Sequence, residues 1–109
     1  MMRYGMIIGL HADKIDEYKA LHAKVWPDVL AAISRNGVRN FTIFLREPEN
    51  LLFGVFDYDG DDYAEAARRI DADPVTQQWY KVTEPCQKPL PSRSDGEWWS
   101  FMENVFHLD

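Results

Sequence analysis

Tyr18 and His22 stand one helical turn apart in the segment DKIDEYKALHAKVW of this 109-residue sequence, and they are its clearest chemical pairing. At about 100° per residue, Ile15, Tyr18, His22, Val25 and Trp26 share one arc of the predicted helix, with His22 near its centre and turned inward. An inward histidine either makes a satisfied hydrogen bond in a core or exchanges protons near neutral pH, the task that imidazole matches best. Tyr18, at the i,i+4 spacing, is close enough to share a ligand with it. Trp79 and Tyr80 form a second aromatic pair late in another predicted helix. Adjacent helical residues point in different directions, so either both pack between helix and sheet or one of them is left to stack on a ligand ring such as a sugar. His11 and His107 fall at predicted strand ends, where exposed or hydrogen-bonded roles suit them better.

Other chemistries lack their residues. The only cysteine, Cys86, has no cysteine or histidine pattern around it, which removes both an internal disulfide and a zinc site and suits a reducing cytoplasm. The acidic run Asp57-Tyr58-Asp59-Gly60-Asp61-Asp62 has its glycine fourth, whereas a calcium loop needs it sixth; a strand-to-helix turn capped by Asp61 fits better. No glycine-rich phosphate loop follows a strand, and no serine sits in a nucleophile elbow. Twelve basic against eighteen acidic residues give a net charge of −6, the wrong sign for a nucleic acid or an anionic membrane. The apolar stretch from Met6 to Leu10 is too short for a membrane span and carries no cleavage pattern. No metal and no cofactor is therefore expected.

The elements that must hold these residues are legible from pattern. Residues 3–10 form an apolar strand, Asp13 caps a helix over 13–26, and Pro27 opens a second helical piece that stops at Gly37. Residues 38–47 and 51–59, rich in β-branched and aromatic side chains, make a hairpin around Pro48-Glu49-Asn50. Helices over 61–70 and 74–83 follow, then a loop over 84–97 with three prolines and a glycine, then a last strand over 98–108. The order β, α, β, β, α, β predicts an α+β, ferredoxin-like fold, with helices on one face of an antiparallel sheet, as a single domain over 1–109. Aromatic residues on both faces of the last strand call for cover on the second sheet face, which a face-to-face homodimer of the dimeric α/β barrel type would supply.

The segments Glu17-Tyr18, Leu21-His22 and Val25-Trp26-Pro27 resemble the signature of the L-rhamnose mutarotase family. So do Asn40-Phe41-Thr42-Ile43-Phe44-Leu45, Asn50-Leu51-Leu52-Phe53 and Met102-Glu103-Asn104-Val105-Phe106-His107-Leu108, so that the likeness spans essentially the whole chain. The resemblance implies a cytoplasmic homodimer that interconverts the α and β anomers of a 6-deoxy monosaccharide, L-rhamnose or its relative L-fucose, without metal or cofactor. By that likeness His22 is the proton donor and Tyr18, Phe41, Trp79 and Tyr80 contact the sugar. Phe41 stands where the family frequently has tyrosine, and Tyr80 replaces the second of two tryptophans. Two other classes share the architecture or the pocket: cofactor-free or haem-dependent monooxygenases, in which an inward histidine serves as haem ligand, and non-catalytic sugar-binding modules.

Overall fold

Strand β1 (Met2–Leu10) is the apolar run of the N-terminus, and it is paired on both sides. A computed structural model describes residues 1–109. On one side of β1 lies β3 (Leu51–Tyr58), antiparallel, with Met6 opposite Gly54 and Ile8 opposite Leu52; β3 in turn pairs with β2 (Val38–Arg46). On the other side the chain returns twice, as β4 (Gln87–Lys88) beside Gly9–Leu10 and as β5 (Ser100–Met102) beside Gly5–Ile7. The order β2-β3-β1 followed by the C-terminal strands is the expected ferredoxin-like arrangement.

Four helices cover one face: α1 (Ile15–Ala23), α2 (Pro27–Arg35), α3 (Tyr63–Ala72) and α4 (Pro74–Thr83). Side chains alternate along each strand, so Met6, Ile8, Leu10, Leu52 and Phe56 point to that face and are buried there. They form two clusters, one joined by Val38, Tyr58 and Ala66 and the other by Tyr18 and Cys86. None of the helices is long and apolar enough to cross a membrane.

Several local expectations change. Asp13 lies in a short 3-10 turn (Ala12–Lys14) and makes no capping hydrogen bond, so α1 starts at Ile15. That helix ends at Ala23 and not at Trp26, because Pro27 disfavours helical geometry in the residue before it; Trp26 is extended and caps α2. Asp62 caps α3 in place of Asp61, its carboxylate accepting from the Glu65 N–H at 3.1 Å. The proline-rich loop contains β4. Only Ser100–Met102 of the predicted last strand pairs with the sheet; residues 103–109 add no ladder, and Val105, Phe106 and Leu108 are exposed. Gly37, at φ 90°, does close α2, in the left-handed conformation that favours glycine.

A bulge in β2 bears directly on the site. Arg39 faces Asp57 and Thr42 faces Val55, so β2 spends three steps where β3 spends two. The extra residue is Asn40, at φ 53°, a conformation asparagine tolerates; its amide donates to the Asp57 carboxylate at 2.9 Å, which also receives Arg3. Past the bulge, Ile43 opposite Gly54 shares the helix-facing side, and Phe41, two residues earlier, joins it.

Candidate active site

Between the helix-facing side of the sheet and the helices lies an open cleft of about 620 Å³, and Tyr18, His22, Phe41, Trp79 and Tyr80 all line it. All five residues singled out from the sequence are thus brought together, from three different elements. Tyr18 and His22 come from the last two turns of α1, Phe41 from the bulged strand, and Trp79 and Tyr80 from α4.

His22 is held on three sides. Its ring stacks on Tyr18 at 4.1 Å between centroids and 25° between planes, and Trp79 meets it edge-on at 5.3 Å and 63°. Trp26 packs edge-on behind Trp79 at 5.1 Å, so the break between α1 and α2 supplies a wall. The imidazole Nδ1 lies 2.9 Å from the Tyr18 carbonyl, which can only accept, so Nδ1 carries a hydrogen and donates. Nε2 is then the free position. Burial pushes the His22 pKa below its ordinary 6.5, against the smaller opposing pull of the Tyr18 carbonyl. The resting ring is neutral at pH 7, with a lone pair on Nε2.

The tyrosines are neutral too. Burial pushes the Tyr18 hydroxyl up to about 12, with Gln87 beside it acting in the opposite direction. Gln87 is fixed by Trp98, whose Nε1 donates to its side-chain oxygen at 2.7 Å. Tyr80 is raised further still, by burial and by its hydrogen bond to the Asp71 carboxylate at 2.6 Å. Phe41 packs edge-on against Phe56 at 5.6 Å, and its ring comes within 3.5 Å of where a side chain on Gly54 would start. A larger residue at 54 would also press on Met6, so glycine there leaves floor space under the cleft.

No pattern in the sequence marks Gln87 or Asp71. Gln87 falls in the proline-rich segment whose composition predicts a loop. Asp71 is nine residues from Tyr80, across the Asp73-Pro74 helix break, a separation with no helical signature. Trp26, predicted on the inward arc of the first helix, lies beyond its end at Ala23 and reaches the site from the break before α2.

These features define a ferredoxin-like α+β protein with a single neutral histidine in an aromatic cleft. The profile of the L-rhamnose mutarotase family matches residues 3–108, and the chain belongs to that family. The L-rhamnose mutarotase of Oceanobacillus iheyensis is 30% identical over 109 residues, and that of Bacillus subtilis 31% over 113, each with both chains covered in full. Among solved structures, the L-rhamnose mutarotase of Formosa agariphila superposes with a TM-score of 0.79 at 22% identity, with full coverage of both chains. Tetracenomycin F2 cyclase from Streptomyces glaucescens, a type-II polyketide cyclase, reaches 0.73 at 19%, covering 100% of this chain and 98% of its own. Since one fold carries both names, the fold alone does not fix the chemistry. The monooxygenase and non-catalytic alternatives are not favoured by the whole-chain family match.

Proposed function

We infer that this chain interconverts the α and β anomers of L-rhamnose by proton transfer at His22 Nε2. The observation that carries this is the tautomer: Nδ1 is committed to the Tyr18 carbonyl, which leaves a neutral Nε2 in the cleft of a chain matched end to end by the mutarotase family. Opening a pyranose moves one proton from the anomeric hydroxyl to the ring oxygen as the bond from the anomeric carbon to that oxygen breaks. Both oxygens sit on the same carbon, so one nitrogen can serve both. A neutral Nε2 takes the hydroxyl proton, and the imidazolium so formed donates it to the ring oxygen; this gives His22 the donor role implied by the family resemblance. The aldehyde turns about its bond to the next carbon and the steps reverse on either face. Sugars mutarotate slowly in water, and a positioned acid-base group contributes about 10² to 10⁴ in rate.

Tyr18, Phe41, Trp79 and Tyr80 are assigned to sugar contact: Trp79 and Phe41 against the apolar edge and methyl group, Tyr18 and Tyr80 through their hydroxyls. We take residues 1–109 as one mutarotase domain in the cytoplasm, where the lone thiol of Cys86 stays reduced. We further propose a homodimer through the uncovered sheet face, where Phe44 and Met102 are exposed beside the half-buried Ile7, Phe53 and Val55.

The test is anomer exchange by NMR saturation transfer, run on L-rhamnose and on L-fucose with catalytic amounts of protein. Faster exchange of L-rhamnose than in buffer is the expected result. Acceleration of L-fucose alone would move the substrate assignment, and no acceleration of either would refute the enzymatic reading.

A further inference from the structure

The Tyr80 phenol is tied to a carboxylate on a different helix. Asp73 ends α3 and caps α4, its carboxylate accepting from the Thr76 N–H at 2.9 Å, and Pro74 occupies the first turn. That geometry brings α4 back along α3, so that Tyr80 Oη donates to Asp71 Oδ1 at 2.6 Å, a charge-assisted bond. Gln77, one turn before Tyr80, donates its side-chain amide to the Asp71 backbone carbonyl. Asp71 is therefore held twice by α4, once through its backbone and once through its side chain. Tyr80 and Asp71 both line the cleft, as does Glu84. The charges of Asp71 and Glu84 add to burial in keeping the phenol protonated.

A phenol has one hydrogen and two lone pairs. When the hydrogen is committed to Asp71, only lone pairs remain for a ligand, and the group that meets them must donate. A tryptophan at position 80, as the family resemblance has it, would offer the reverse, an N–H and no acceptor. We propose that Asp71 is a positioning residue for sugar recognition, fixing the Tyr80 oxygen as a hydrogen-bond acceptor so that this wall of the cleft selects a sugar carrying a free hydroxyl there. This rests on the mutarotase reading above. Asp71 touches no reacting atom. It acts through Tyr80, and a direct contact between its second oxygen and the sugar is the competing explanation.

The test measures KM and kcat for L-rhamnose exchange in the parent and in Asp71→Ala, Asp71→Asn, Tyr80→Phe and the Asp71→Ala/Tyr80→Phe double variant. Losing one neutral hydrogen bond corresponds to roughly three- to ten-fold. Asp71→Ala and Tyr80→Phe are each expected to raise KM by about that factor with kcat within about two-fold, and the double variant to be no worse than either. Asp71→Asn, whose amide oxygen still accepts the phenol proton, should restore KM to within about two-fold of the parent. The proposal is overturned if Asp71→Ala still raises KM in the Tyr80→Phe background, if Asp71→Asn behaves like Asp71→Ala, or if neither single variant moves KM. It is likewise overturned if Asp71→Ala lowers the thermal midpoint and kcat together while Tyr80→Phe leaves KM unchanged, the pattern of a simple clamp between helices. Should the parent not exchange anomers, the mutarotase reading fails first, and calorimetric Kd values for L-rhamnose across the same variants still test the Asp71–Tyr80 pair by the same criteria.

Discussion

The two faces of the β-sheet both carry apolar side chains and end in opposite situations. On the helix-facing side, Met6, Ile8, Leu10, Leu52 and Phe56 are buried, and the helices close over them everywhere except at the cleft that holds His22. On the other side, Ile7, Phe53 and Val55 are half-buried, Phe44 and Met102 are exposed, and no helix covers them. Alternation along a strand makes both faces apolar when both are to be covered. The first face shows what covering does for chemistry: desolvation by surrounding aromatics is what holds His22 neutral. The apolar part of the second face has no helix over it, and this is the surface on which we propose that a second copy packs.

That contrast can be broken by mutation. Phe44→Glu places a charge on the edge strand of the open face without touching the cleft, and a buried unpaired charge is costly enough to abolish a contact of this kind. The expected outcome is a shift from dimer to monomer in sedimentation velocity, with the circular dichroism of the folded chain retained. A parent that sediments as a monomer would remove the dimer from the account.

A smaller effect concerns pH. The His22 pKa is lowered on folding from about 6.5, so the unfolded chain takes up the proton first. The stability contributed by keeping this ring neutral is complete above pH 6.5 and is lost as pH falls through the lowered folded value. The free Nε2 lone pair is lost over the same range. A profile of kcat/KM should accordingly be level through neutrality and fall on the acid side below pH 6.5, and the residual activity of His22→Gln should lack that limb. If the limb persists in His22→Gln, another group titrates there.

Much of the fold was legible because its signals are local. The apolar run of β1, the hairpin of β2 and β3, and the prolines and glycine that bound α2 and α4 all act within a few residues. The inward phase of His22 was legible for the same reason, since Tyr18 and His22 lie one turn apart on the same regular helix. Phe41 was not legible from pattern. Strict alternation from Val38 would send it to the open face, and only the extra residue Asn40, held at positive φ by its bond to Asp57, returns it to the cleft. Family resemblance supplied that position where periodicity could not. The end of the chain departs from expectation because a strand needs a partner to pair with: Val105, Phe106 and Leu108 suit a strand, but the ladder with β1 stops at Met102. Asp71 and Gln87 reach the site through contacts between elements, which no local pattern records.

The central claim is that one nitrogen moves the proton. It is tested most directly by saturation-transfer exchange of L-rhamnose with His22→Ala and His22→Gln beside the parent, with folding checked by circular dichroism and sugar affinity by calorimetry. We predict that both variants stay folded and keep most of their affinity, while exchange falls by about 10² to 10⁴, toward the rate in buffer. Exchange by folded His22→Ala at the parent rate would contradict the account and place the chemistry on another residue.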